Sequence, residues 1–319
     1  MKETMDKPPK DGLPAPTGDL PAIQIGTNAK ASLKINEQTR MAQEFLDQIP
    51  AGAMKNLHVR IPGGTRSQRE KGSDWSDPDM KKWIDLQKKY GFGFIWVVNG
   101  NDTPENQKAF IQRWQNMGAK FTFLEMMNEY YLPKFAQGKT EKPEVTRRVT
   151  AEDYAGEILD AWLPVMATLN LPIFVHVAPK RTGKQGEQYA HFNKVVTKAV
   201  REKFKGYNLG IAVHLYERAD PFDYGQIAEL RKQLPPGTPI AITETGNLNE
   251  SVRTSEAVAP LIYNHYRRLA AELKPGDYLI DHCLYNDYKN ETEANLHPKY
   301  KGMTPKGEAV LRFFRDIYP

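Results

Sequence analysis

One cysteine, Cys283, stands in a chain of 319 residues. No disulfide can form within such a chain, and a zinc site built on thiolates is excluded. No apolar run approaches the roughly 20 residues of a membrane helix, and mean hydropathy is −0.63. The start, MKETMDKPPK, lacks the apolar stretch of a secretion signal. The expectation is a cytoplasmic protein or the mature form of a secreted one. Charge of one sign is also scarce: the net is +5, dispersed along the chain, too little to argue for nucleic acid. There is no Gly-x-Gly-x-x-Gly turn and no internal repeat, which removes the sequence signs of a dinucleotide-binding sheet and of a solenoid.

What is present is an ordinary globular composition, 40% hydrophobic and 26% charged. Residues 1–21 hold five prolines and read as an extended arm. From residue 22 to 319 one pattern recurs: a short apolar run, a polar loop, then a segment of helical period. The runs are AIQIG (22–26), LHVRI (57–61), FGFIWVV (92–98), FTFLEMM (121–127), PIFVHV (172–177), GIAVHLY (210–216), IAIT (240–243) and YLID (278–281). Helices are expected near 37–49, 77–90, 104–116, 151–169, 188–204, 223–233, 252–274 and 304–316. Asp77, Thr103 and Thr150 are the expected caps of three of them. Eight strand–helix units predict a single (β/α)8 barrel, with a long loop at 130–149 after strand four.

In such a barrel, chemistry belongs at the C-terminal ends of the strands. Those positions hold Asn28, Arg60, Asn99, Asn128, Glu129, His176, His214, Tyr216, Glu244 and His282, with Tyr285 beyond. Glu129 and Glu244 close strands four and seven, which face each other across the mouth. Two opposed carboxylates are what glycoside hydrolysis requires: one protonated to donate to the leaving oxygen, one ionised as nucleophile or base.

Four strings bear on this. LEMMNEYY resembles the strand-four acid/base motif of the clan A glycoside hydrolases, and IAITETG their strand-seven nucleophile motif. LHVRIPGG resembles the strand-two motif of their family 5, and AVHLYE their strand-six His-x-Tyr. All four stand in order on the matching strands, with features of families 5 and 39. The resemblance implies a retaining enzyme that cleaves a poly- or oligosaccharide without a cofactor. Glu129 would be the acid/base and Glu244 the nucleophile, their carboxyls about 5–5.5 Å apart. Asn128 would bind the sugar 2-hydroxyl, Tyr216 and Arg60 would hold Glu244, and His214 and Asn99 would line the subsite. Arg60 and Tyr216 should lower the Glu244 pKa, while Met127 and Tyr130 should raise that of Glu129. The tryptophan that usually ends strand eight is missing; Tyr285, Asn286 and Tyr288 stand in its place.

Other residues take plainer readings. Glu125 is expected to be a buried partner for a cation or amide. His58, His176, His214 and His282 are expected to be hydrogen-bonded interior groups rather than metal ligands, and His191 and His265 to lie on the surface. Trp83, Trp114 and Trp162 are expected in the core. Trp75, Tyr130 and Tyr131 could stack on a sugar ring. The loops 130–149 and 179–187 are basic, which suggests an acidic glycan touched by Lys180 and Arg181. A barrel that binds carbohydrate without cleaving it is the alternative.

Overall fold

The computed structural model describes residues 18–30, 35–63, 76–132, 149–217, 222–248, 252, 254–285 and 291–319. Eight parallel strands close in sequence order. They are β1 (Gln24–Lys30), β2 (Leu57–Gly63), β3 (Gly93–Val97), β4 (Phe121–Met126), β5 (Ile173–Val177), β6 (Leu209–Glu217), β7 (Ile240–Asn247) and β8 (Tyr278–Asp281). The ring closes where Ile25 lies beside Leu279 and Gly26 beside Ile280.

Around the barrel run α1 (Ile35–Leu46), α2 (Ala51–Met54), α3 (Asp77–Tyr90), α4 (Pro104–Asn116), α5 (Ala151–Asp153), α6 (Leu159–Ala167), α7 (Gly183–Glu202), α8 (Gln226–Lys232), α9 (Ser255–Glu272) and α10 (Pro305–Ile317). Caps set several boundaries. Thr103 and Thr150 accept from the N–H groups three residues on, as expected. At α3 the cap is Ser76 rather than Asp77: Ser76 and Asp79 satisfy each other's backbone N–H, and Asp77 is the first helical residue. Between α5 and α6 the chain makes a π turn, Tyr154–Ile158. There Tyr154 donates its hydroxyl to the Met126 carbonyl at 3.0 Å and accepts from the His176 N–H at 3.3 Å, tying β4 to β5.

The strand period of two builds the barrel interior in layers. Ile95, Phe123, Phe174, Ala212, Ala241 and Ile280 form one buried apolar cluster. Two residues further along five of these strands stand Glu125, His176, His214, Thr243 and His282, so a polar layer sits directly on the apolar one. Gly93 and Gly210 leave room for this filling: a Cβ at Gly93 would run into Thr122 and His58, and one at Gly210 into the Phe174 ring. The helices cover the outside through a second, larger core that includes Trp83, Trp114 and Trp162, as expected.

Candidate active site

Several strand ends deliver side chains to the mouth, and β7 delivers two successive ones. Val213 pairs with Ile242 but His214 pairs with Glu244, so β7 carries one extra residue at this point. The bulge turns successive residues inward. Thr243 donates to Glu125 at 3.1 Å, and Glu244 reaches the centre of the mouth. At the end of β4, Met127 and Glu129 both have positive φ, 66° and 51°. Such backbone is uncommon for side chains of this size and re-aims Glu129 over the barrel.

Arg60 is the hub, fully buried. Its Nε and Nη2 take both oxygens of Glu125, at 2.6 and 2.7 Å. Its Nη1 reaches Glu244 at 2.6 Å and Asn28 at 2.8 Å, and Nη2 also donates to the Asn128 side-chain oxygen at 3.0 Å. Burial works against the guanidinium charge, but the two glutamates overcome it and raise its pKa. Glu125 is thus the buried cation partner expected of it. Burial alone would raise its carboxyl; Arg60, His176 and His214 hold it well below the usual range instead.

Glu244 receives Tyr216 Oη at 2.6 Å and lies near His214 Nδ1 (3.4 Å) and His282 Nδ1 (3.7 Å). Its burial favours the neutral form, yet the charges of His214, Arg60 and His282 and the Tyr216 hydroxyl keep it firmly ionised. Glu129 accepts from Tyr131 Oη at 2.9 Å, and its Oε1 lies 3.1 Å from His214 Nδ1. Here the expected upward shift is overturned. Burial does push the Glu129 carboxyl up, but the His214 bond and charge outweigh it, and the pKa falls below the ordinary value. His214 answers in the opposite direction: burial lowers it, but Glu244, Glu125 and Glu129 raise it to about 9. Burial and the neighbouring carboxylates hold the Tyr131 and Tyr216 phenols far above their ordinary range, so both remain donors.

Arg60, Asn128, Glu129, His214, Tyr216 and Glu244 are therefore brought together. Asn99 lies two residues past β3, and its side-chain oxygen accepts from the Asn101 N–H in the loop at 3.0 Å. Tyr285 does not floor the site: it is fully buried and bridges to Leu296, because the chain returning at 291–297 packs over it. The β8 end instead offers His282, whose Nε2 lies 3.6 Å from Glu293. The sequence reading made His282 a hydrogen-bonded interior group and not a neighbour of Glu244; its position two residues beyond Ile280 was the signal. Lys180 lies apart, exposed and paired with Asp223 at 2.8 Å and Glu229 at 2.9 Å. With Arg181 it borders a cavity of about 230 Å³ between α7, α8 and β6. Tyr130 is buried against Tyr154. His265 is buried as well, not on the surface, between Tyr224 and Thr245. Trp75, Asn286, Tyr288 and most of the loops 1–21 and 130–149 lie outside the described residues.

Glu125, His176 and His214 have the spacing of a three-ligand cation site. Arg60 already serves that position, with Nη2 at 2.7 Å from Glu125 and 3.4 Å from His214. Arg60 thus meets two of the three, while His176 contacts the other two members, Glu125 at 3.3 Å and His214 at 3.2 Å.

The sequence matches no protein-family model and no curated protein sequence. Three solved structures of similar fold are glycoside hydrolases. One is a 4-O-α-L-rhamnosyl-β-D-glucuronidase from Fusarium oxysporum 12S, at 14% identity and TM-score 0.55, over 95% of this chain and 72% of that one. Another is a family 39 glycoside hydrolase from Bacteroides cellulosilyticus WH2, at 13% and 0.54, over 92% and 63%. A third is the Thermomonospora fusca β-mannanase in complex with mannohexaose, at 14% and 0.53, over 91% and 88%. At these identities the likeness is one of fold.

Proposed function

We propose that this chain is a retaining glycoside hydrolase, with Glu244 as nucleophile and Glu129 as acid/base. One observation carries the reading. Glutamates from opposite strand ends flank a single nitrogen, His214 Nδ1, at 3.1 and 3.4 Å. Legs of that length leave these oxygens at most about 6.5 Å apart, the low edge of the roughly 6.5–9.5 Å between the carboxyl groups of an inverting enzyme, which favours retention. Environment divides the roles. Glu244, surrounded by Arg60, His214 and Tyr216, stays ionised and attacks the anomeric carbon. Glu129 gives a proton to the leaving oxygen as the glycosidic bond breaks. Glu129, now a carboxylate, takes a proton from water, whose oxygen displaces Glu244 and restores the configuration. The fold likeness to barrel glycoside hydrolases agrees with this chemistry. The substrate is a poly- or oligosaccharide.

The test is release of reducing ends from a polysaccharide panel by the wild type and not by Glu244→Ala. Mass spectrometry after an activated 2-fluoro glycoside should then find the sugar on Glu244. One observation favours a second reading, a barrel that binds sugar without cleaving it: the β8 end brings His282 to 3.7 Å from Glu244, and residues 278–290 hold no tryptophan. Saturable oligosaccharide binding with no bond cleavage would establish that reading instead.

A further inference from the structure

The hydrolase reading leaves a difficulty. Glu129 must deliver a proton, yet its surroundings strip it of one. The contacts behind it offer that proton a resting place. His176 Nδ1 lies 3.2 Å from the Val177 carbonyl, an acceptor, so this nitrogen carries a hydrogen. His176 Nε2 is 3.2 Å from His214 Nε2, and that contact needs one proton between the rings. Burial and the charge of His214 lower the His176 pKa, and the two hydrogens of Arg60 Nη2 have shorter partners than His214 in Glu125 and Asn128. With His176 neutral and protonated on Nδ1, the proton belongs to His214. His214 Nδ1 lies 3.1 Å from a Glu129 oxygen and 3.4 Å from a Glu244 oxygen, close but not aligned as hydrogen bonds; a bare lone pair there would face two carboxylates, so this nitrogen carries a hydrogen too. A ring with both nitrogens protonated is an imidazolium, fully inside the barrel.

We propose that His214 stores the proton that Glu129 delivers, and that His176, a positioning residue, keeps it there by accepting from the far side of the ring. The inference rests on the hydrolase reading. As the substrate binds, the His214 Nδ1–H bond breaks and the Glu129 Oε1–H bond forms, leaving both groups neutral. Glu129 then protonates the leaving oxygen, which keeps the electron pair of the broken bond. When Glu129 later takes a proton from the attacking water, it returns one to His214. The charges around His214 suit this cycle. Arg60 faces it from β2, Glu125 and Glu129 from β4, His176 from β5 and Glu244 from β7, with His282 beyond Glu244. Three carboxylates balance the guanidinium and one imidazolium, leaving one negative charge for the attack.

The test uses the whole chain labelled with 15N in its histidines, titrated by NMR from about pH 5 to about pH 10. One histidine, absent from the spectrum of His214→Asn, should keep both ring nitrogens protonated past neutrality, with a midpoint near 9. In His176→Phe that midpoint should fall by about one unit or more, and the basic limb of kcat/KM should move with it. At the alkaline end this costs about tenfold in rate. His176→Gln, which offers an amide oxygen to the same proton, should restore most of the shift; it also covers the case in which the Phe variant does not fold. A His214 that is neutral at pH 7, with Nε2 bare and accepting from Arg60, overturns the proposal. So does a basic limb that stays fixed while the NMR midpoint moves. A wild type that cleaves no glycoside defeats the hydrolase reading itself, and the NMR arm still decides the charge of His214 without any substrate.

Discussion

Arg60 and Glu125 are both fully buried, and the guanidinium takes both oxygens of the carboxylate, at 2.6 and 2.7 Å. This pair fixes the orientation of Arg60, and with it the angle at which the third nitrogen meets Glu244. Removing one partner leaves an unpaired charge in the barrel interior. Glu125→Ala should therefore destabilise the protein by about 3–5 kcal/mol. The check is the urea midpoint at unchanged m-value. A loss below about 1 kcal/mol would mean that the pair is not held as described.

Tyr216 and Glu244 are coupled differently, at the proposed nucleophile. The 2.6 Å bond from the phenol is charge-assisted, worth about 1.5–3 kcal/mol. Tyr216→Phe should lower kcat by about ten- to a hundredfold and leave the melting temperature nearly unchanged. Wild-type turnover in this variant would remove the tyrosine from the mechanism.

Acid stability follows from two histidines outside the site. Burial lowers both His58 and His265 to about 3. Each is clasped by two partners: His58 by Thr122 and Gln24, His265 by Tyr224 and Thr245. In the unfolded chain both titrate near 6.5. Above that pH the two states bind equal numbers of protons and these groups leave stability unchanged. As pH falls from about 6.5 toward 3 the unfolded chain takes up protons that the folded one refuses. Stability then drops by about 1.4 kcal/mol per pH unit for each histidine. His58→Asn should flatten the acid side of a melting-temperature profile. An unchanged slope would show that His58 titrates normally in the folded protein.

Lys180 offers a test of the acidic-glycan expectation. The side chain is exposed and already faces Asp223 and Glu229. Exposed pairs of this kind contribute about 0–1 kcal/mol. Lys180→Ala should leave KM within about twofold on any cleaved glycan, at low and high salt alike. A large, salt-dependent rise in KM would restore this lysine to the substrate.

The sequence made the barrel readable because each strand run ends within a few residues of a polar cluster, and each helix carries its period. IAIT at 240–243 extends to Asn247 in the structure, since the bulge at Thr243 and Glu244 lets the strand continue through polar residues. Glu129 and Glu244 were legible because they stand beside recognisable neighbours at strand ends. The electrostatic sign at Glu129 was not, because it depends on His214, which is 85 residues distant in the chain and 3.1 Å away in space. Tyr285 was misplaced for a similar reason. Its burial comes from the return segment that bears Leu296, which carries no period to betray that it folds back.

The π turn at Tyr154–Ile158 has a consequence for how this barrel tolerates change in length. Such a turn amounts to one residue inserted into an otherwise regular helix. It lets Tyr154 stay locked on the β4 and β5 backbones while Leu159, Trp162, Leu163 and Met166 remain buried along α6. The two stretches keep independent phase because the extra residue absorbs the mismatch. Deleting Gly156 would regularise the coil and rotate one stretch by about 100° against the other, as 3.6 residues per turn require. Either the tyrosine bridge or the apolar seam would then be lost. In this barrel an indel at that point reaches the β4 and β5 ends, and the histidine pair at the mouth, from a helix on the outer ring.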